Sequence, residues 1–143
     1  ILYQEENQYK ITKSKIKLVS KKSASNEIIE DLIFAFKVAK HVKSNAIVLA
    51  NNKQTLGIGA GQMSRLDSTR MAIIKYKDFF KNRKFVCASD AFFPFTDNIE
   101  LLLELRCKAI IQPSGSINDE KIIKFAKSKN TSLYFVKNRV FKH

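Results

Sequence analysis

The chain has 143 residues, 45% of them hydrophobic, which suits one compact domain with a buried core and leaves no room for two. Its apolar runs, such as Leu32-Ile33-Phe34-Ala35-Phe36, fall far short of the roughly 20 residues that span a bilayer, so neither a transmembrane helix nor a signal peptide is expected. The balance of 26 Lys+Arg against 13 Asp+Glu gives +13, but the lysines are spread from Lys13 to Lys129 as on solvated faces, so a basic nucleic-acid-binding module stands only as an alternative.

The opening stretch is polar, begins with Ile1 rather than Met, and reads as an upstream linker or remnant over residues 1–14. Lys15 to Ser20 alternates as a strand. Ser25 can cap a helix whose first turn carries Glu27 and Glu30. Ile28, Leu32, Ala35, Ala39 and Val42 recur at helical spacing, so this helix is expected to be the longest and best packed. Asn45 precedes a buried strand over Ala46–Ala50. Asn51-Asn52-Lys53 then has turn chemistry, which returns Gln54–Ile58 as an antiparallel partner.

The stretch Gly57-Ile58-Gly59-Ala60-Gly61-Gln62-Met63-Ser64-Arg65 holds three of the four glycines. It is expected to be a strand-to-helix junction where backbone N–H groups admit an anionic ligand, and not a packing element. Gly-x-Gly-x-Gly lacks the dinucleotide spacing, and no Gly-Lys-Ser/Thr follows. A helix then runs to Phe79 or Phe80. Strand Lys84–Ser89 delivers the aromatic loop Asp90–Asp97, and a helix over Ile99–Arg106 leads to strand Ala109–Gln112 and the turn Pro113-Ser114-Gly115-Ser116. A helix from Asn118 and a last strand, Ser132–Val136, precede the tail Asn138–His143. Helices alternating with strands, plus one hairpin and no internal linker or repeat, predict a three-layer α/β/α domain with a mixed sheet and loops gathered at one edge.

Ligands of such sheets collect beyond the strand ends, which singles out Asn45, Arg65, Phe92, Asp97 and Ser116. Arg65 can grip two oxygens of a phosphate; it equally fits a surface arginine on a first helical turn. Asn45 can orient an amide or can close an Asx turn. Phe92, Phe93 and Phe95 around Pro94 can wall a flat heterocycle or can be core. Cys87 and Cys107, outside any Cys-x-x-Cys pair, read as reduced buried thiols of a cytoplasmic protein. His41 and His143 are the only histidines, so no zinc site is expected.

Four segments, Lys37–Val48, Gly57–Arg65, Asp90–Phe95 and Gln112–Ser116, together with the closing Arg139-x-Phe141-x-His143, closely resemble the carboxy-terminal part of the bifunctional AICAR transformylase/IMP cyclohydrolase family. The resemblance covers about Ser25 to His143. It implies transfer of a formyl group from 10-formyltetrahydrofolate to the carboxamide ribotide AICAR in purine biosynthesis. The implied fold is the second of two cytidine-deaminase-like repeats, without the metal motif of the deaminases. It further implies that Asn45, Arg65, Phe92 and Arg139 contact AICAR, with Arg65 near the phosphate. Leu66, Asp97, Ser116 and Ile117 match folate positions, with Asp97 meeting the pterin. Some relatives hold potassium near the C-terminus, and family members form homodimers through the transformylase part. The family's catalytic Lys-His pair is followed by Pro and Gly and belongs to the other repeat. Lys40-His41 imitates only the dipeptide, so no catalytic residue is assigned here and the isolated chain is expected to be inactive.

Overall fold

A computed structural model describes residues 3–5 and 7–143; Ile1, Leu2 and Glu6, part of the expected upstream remnant, lie outside the described residues. After a short 3-10 turn at Lys13–Lys15 the elements run β1 Ile16–Leu18, α1 Asn26–Ala39, β2 Ile47–Asn51, β3 Gln54–Gly59, α2 Arg65–Phe80 and β4 Phe85–Ser89. They continue with α3 Asp97–Glu104, β5 Cys107–Pro113, α4 Asp119–Ser128 and β6 Ser132–Val136. The six strands form one mixed sheet in the order β1-β6-β5-β4-β2-β3. β4, β5 and β6 are parallel, while β1, β2 and β3 run antiparallel to their neighbours. The three-layer α/β/α expectation therefore holds.

Alternation along the central strands assigns the two faces. Ile47, Leu49, Phe85, Cys87, Leu133 and Phe135 pack under α2, α3 and α4. Val48, Ala50, Val86, Ala88, Tyr134 and Val136 pack against α1, joined by Ile11 and Val140 from the chain ends. The α1 stripe is correct from Ile28 to Ala39, whereas Val42 lies beyond the end of the helix, and Ser25 Oγ accepts from the Ile28 amide at 3.4 Å as a cap. α1 is not the longest helix, however: it has 14 residues and α2 has 16, because Ser64 caps α2 early, accepting from the Asp67 amide at 3.0 Å.

The β2–β3 hairpin turns on Asn52 and Lys53, both at positive φ (49° and 54°). This two-residue geometry suits the twist of paired strands. The buried Asp31 of α1 accepts from both turn amides, at 2.9 and 2.8 Å, and so ties the hairpin to the helix. β1 is shorter than the expected Lys15–Ser20 because its pairing with β6 continues through a side chain: Ser20 Oγ accepts from the Leu133 amide. No helix among the described residues is long and apolar enough to cross a membrane.

Two glycines overturn the reading of the glycine stretch. Gly57 and Gly59 lie within β3, directly beneath α2. A Cβ on Gly59 would sit 1.8 Å from the Ser68 carbonyl oxygen, and one on Gly57 would sit 2.1 Å from that of Ala72. They are packing residues, present so that helix and strand backbones can touch. Only Gly61, at φ 63°, occupies the loop and needs the left-handed region.

Candidate functional site

The carboxyl ends of β4, β5 and β6 point the same way, and the antiparallel β2 begins where β4 ends, since Ile47 pairs with Ser89. β3 ends beside them, Gly59 opposite Ile47. The segments holding Asn45, Arg65, Asp90–Asp97, Ser114–Asn118 and Arg139 thus leave one end of the sheet together, as expected of an α/β ligand site.

Asp90 is the hub of this end. It is fully buried, and its carboxylate pairs with the Arg65 guanidinium, whose side chain is only 7% exposed. The Ser44 hydroxyl donates to the other carboxylate oxygen. The backbone joins in: the Asp90 amide donates to Ala46 O at 3.2 Å and its carbonyl accepts from the Val140 amide at 3.0 Å. Arg65 Nη2 donates to Asn45 Oδ1 at 2.9 Å, and Asn45 Nδ2 donates to Gln62 O at 3.0 Å. Ser68 Oγ caps the Asn45 carbonyl at 2.7 Å. Asn45 and Arg65 therefore form one fixed unit across the strand–helix boundary. The surface-arginine alternative fails, because Arg65 is buried and its charge is balanced within the protein.

A second cluster lies beside the first. The Arg139 guanidinium sits 4.6 Å from the centroid of the Phe92 ring and 6.0 Å from that of Phe141, a cation–π arrangement on two aromatic faces. Its Nη2 lies 4.0 Å from where a Cβ on Gly115 would stand, so the Pro113–Ser116 turn approaches it closely. No carboxylate of the described residues pairs with Arg139.

The remaining expected residues ring these clusters. Asn118 Nδ2 donates to Pro94 O at 2.8 Å and links the aromatic loop to the Pro113–Ser116 turn. Asp97 opens α3 and accepts from both the amide and side chain of Asn98, and Thr69 Oγ1 donates to Asn98 Oδ1, which couples α3 to α2. Ser116 Oγ accepts from the Asn118 amide at 3.0 Å. Leu66 is half-buried beside Arg65, whereas Ile117 is 99% exposed, as are Met63 at 98% and Phe95 at 59%. Of the three phenylalanines, Phe93 is core, fully buried with its amide on Gln112 Oε1; Phe92 and Phe95 remain on the site side. Asp119 Oδ2 accepts from the Gly115 amide at 2.7 Å, while its buried Oδ1 has no partner.

Sequence reasoning missed Asp90, Ser44 and Asp119. The only local signal was the Ser89-Asp90 step at a strand end, since an aspartate that follows a fully buried strand needs a partner. Lys40 and His41 lie at the C-terminal end of α1, where Lys40 Nζ donates to Tyr9 O and His41 is exposed. Cys87 and Cys107 are buried free thiols. Burial pushes Cys107 up to about 12 and Cys87 well above the usual thiol range, so neither supplies a thiolate at neutral pH.

Residues 1–75 match the family model described as the AICARFT/IMPCHase bienzyme. The chain is 47% identical over 130 residues to the bifunctional purine biosynthesis protein PurH of Aquifex aeolicus, covering 90% of this chain and 26% of that protein. It is also 47% identical over 144 residues to PurH of Buchnera aphidicola subsp. Acyrthosiphon pisum, covering 100% and 27%, and 50% identical over 136 residues to PurH of Wigglesworthia glossinidia brevipalpis, covering 94% and 26%. The chain thus spans about a quarter of the length of the curated relatives it matches. With its family model matched over more than half its length and its strand-end motifs gathered at one site, the chain belongs to the AICARFT/IMPCHase bienzyme family.

Proposed function

We propose that this chain supplies part of the AICAR formyltransferase site of a larger bifunctional purine-biosynthesis enzyme. The reaction would transfer a formyl group from 10-formyltetrahydrofolate to the amine of AICAR. The observation that carries this reading is the convergence of Asn45, Arg65, Phe92 and Arg139 at one end of the sheet. Arg139, exposed and without a carboxylate partner, would take the ribotide phosphate. Arg65, already neutralised by Asp90, instead holds Asn45 with its carbonyl and amide fixed, and the pair would orient the uncharged carboxamide. This moves the phosphate contact from Arg65 to Arg139. The exposed apolar Ile117 and half-buried Leu66 would flank the pteridine, with Asp97 and Ser116 as its polar contacts. Asp119 Oδ1 leaves an acceptor for a ligand N–H or a water beside the same turn.

The chemistry needs an acid–base pair to take the amine proton as it attacks the formyl carbon, steady the negative charge that develops on the formyl oxygen, and return a proton to the departing folate nitrogen. None of the clustered residues has that character, so the catalytic Lys-His pair would come from elsewhere in the same polypeptide. Exposed Met71, Ile74 and Phe79 on α2 support further association, with the rest of that polypeptide or with a second copy in a homodimer. A potassium ion near the C-terminal tail remains an expectation of the family resemblance. The test compares formyl transfer by the full-length enzyme and by this 143-residue chain, with AICAR binding measured on Arg139→Ala in the full-length form. Turnover by the full-length enzyme alone, and a loss of AICAR affinity of roughly ten- to a hundredfold in the variant, as for a hydrogen bond to a charged group, would support the reading. Formyl transfer by the chain alone would refute the placement of the catalytic pair.

A further inference from the structure

The tail that carries Arg139 is held on two sides. Its even residues face the sheet: the Val140 amide donates to Asp90 O at 3.0 Å, the Lys142 amide donates to Ser44 Oγ at 3.0 Å, and Lys142 O accepts from the Ser44 amide at 2.7 Å. Its odd residues face the opening segment of the chain. Asn7 Nδ2 donates to Arg139 O at 3.3 Å, Gln4 Nε2 donates to Phe141 O at 2.9 Å, and Gln4 Oε1 accepts from the His143 amide at 2.8 Å. These contacts bridge 132 to 139 residues of sequence. The segment is itself anchored by buried Ile11 and by Tyr9, which meets Phe36 edge-on at 6.5 Å and accepts from Lys40 through its carbonyl.

We propose that Gln4 and Asn7 are positioning residues for Arg139: the opening segment acts as a strap that fixes the register of the tail and so the place of the guanidinium over Phe92. One glutamine amide engages both Phe141 and His143, so it reads a two-residue spacing as a paired strand would, and a slip of one residue breaks both bonds at once. Register matters because Arg139 lies over the ring of Phe92, which belongs to another segment; a shifted tail would carry the guanidinium off that ring and withdraw the charge from the phosphate. The inference rests on the reading of Arg139 as the phosphate ligand.

The experiment is a double-mutant cycle in the full-length enzyme, with steady-state kinetics for both substrates. Gln4→Ala and Asn7→Ala should each raise KM for AICAR roughly two- to tenfold, as for a lost neutral hydrogen bond. They should leave KM for 10-formyltetrahydrofolate and kcat close to wild type. Gln4→Glu keeps the acceptor for the His143 amide but sets a carboxylate oxygen against Phe141 O; it should fall between wild type and Gln4→Ala if one bond suffices to hold register. In an Arg139→Ala background the strap substitutions should add nothing further to KM for AICAR. Additive effects there, or an unchanged KM for AICAR in both single variants, would overturn the inference. If Arg139→Ala itself left KM for AICAR unchanged, the site reading would fail instead, so the two failures are distinguishable.

Discussion

Replacing Asp90 by Asn tests the centre of the site. The change is isosteric: the amide oxygen can still accept from Arg65, and the Ser44 hydroxyl, which donates to the carboxylate, can turn to accept from the amide nitrogen, so the main loss is the charge. What remains is a guanidinium whose side chain is 7% exposed with no counter-charge, next to a fully buried position. Breaking a buried ion pair by neutralising one partner destabilises a protein by about 3–5 kcal/mol, a large share of the about 5–15 kcal/mol that holds a domain together. For a domain of this size that corresponds to a fall in Tm of about 6–20 °C. Thermal and urea unfolding, followed by circular dichroism, measure it directly. Because the pair is buried, added salt should neither mimic nor rescue the loss. Removing both charges, as in Asp90→Asn with Arg65→Met, should recover much of the stability, since a matched apolar replacement leaves no uncompensated ion. A single Asp90→Asn loss below about 1 kcal/mol, or a double variant worse than the single, would refute the claim that a desolvated charge pair organises this end of the sheet.

The glycines of β3 make a graded series. Gly59→Ala and Gly57→Ala drive a Cβ into backbone atoms of α2, at 1.8 and 2.1 Å, and should each destabilise by about 3 kcal/mol or more; Gly61→Ala, where a Cβ would meet only the Lys43 side chain at 3.6 Å and φ is 63°, should lose only about 1–2 kcal/mol, and the reverse order in urea unfolding would contradict the packing account. The buried thiols set an alkaline limit. With Cys107 raised to about 12 and Cys87 raised as well, the folded chain binds more protons than the unfolded chain above the ordinary thiol range. Stability is therefore complete below about pH 9 and falls as pH rises towards 12, at about 1.4 kcal/mol per pH unit for each thiol; Cys107→Ala with Cys87→Ala should flatten that slope, and an unchanged slope would argue against it.

Much of the layered fold was legible because burial is periodic. The spacing of Ile28, Leu32, Ala35 and Ala39 located α1, and the apolar stretches Ala46–Ala50 and Ser132–Val136 located β2 and β6. The cap at Ser25 was legible too, since it acts within three residues of itself. What escaped were relations between distant positions. Nothing near Gly57 or Gly59 says that a helix will press its carbonyls onto them, so a packing device resembled a ligand loop. Nothing near Arg65 says that Asp90, 25 residues on, will neutralise it. Nothing near Asp31 says that the amides of Asn52 and Lys53 will come to it.

The same distinction separates the end of the sheet from the rest of a chain of formal charge +13. Scattered exposed lysines attract any anion weakly, and salt removes that attraction. At the end of the sheet the two arginines are treated differently. Arg65 is taken out of solvent and balanced by Asp90, so it adds geometry without net charge and holds Asn45 Oδ1, while Gln62 O holds the amide nitrogen. Arg139 keeps its charge, lies on the rings of Phe92 and Phe141, and meets no carboxylate among the described residues. A ligand that satisfied both would need an anionic group for the second arginine and an uncharged amide for the unit built on the first. On the proposed reading a ribotide carboxamide has that pairing, whereas the phosphates of a nucleic-acid backbone would engage only the second arginine.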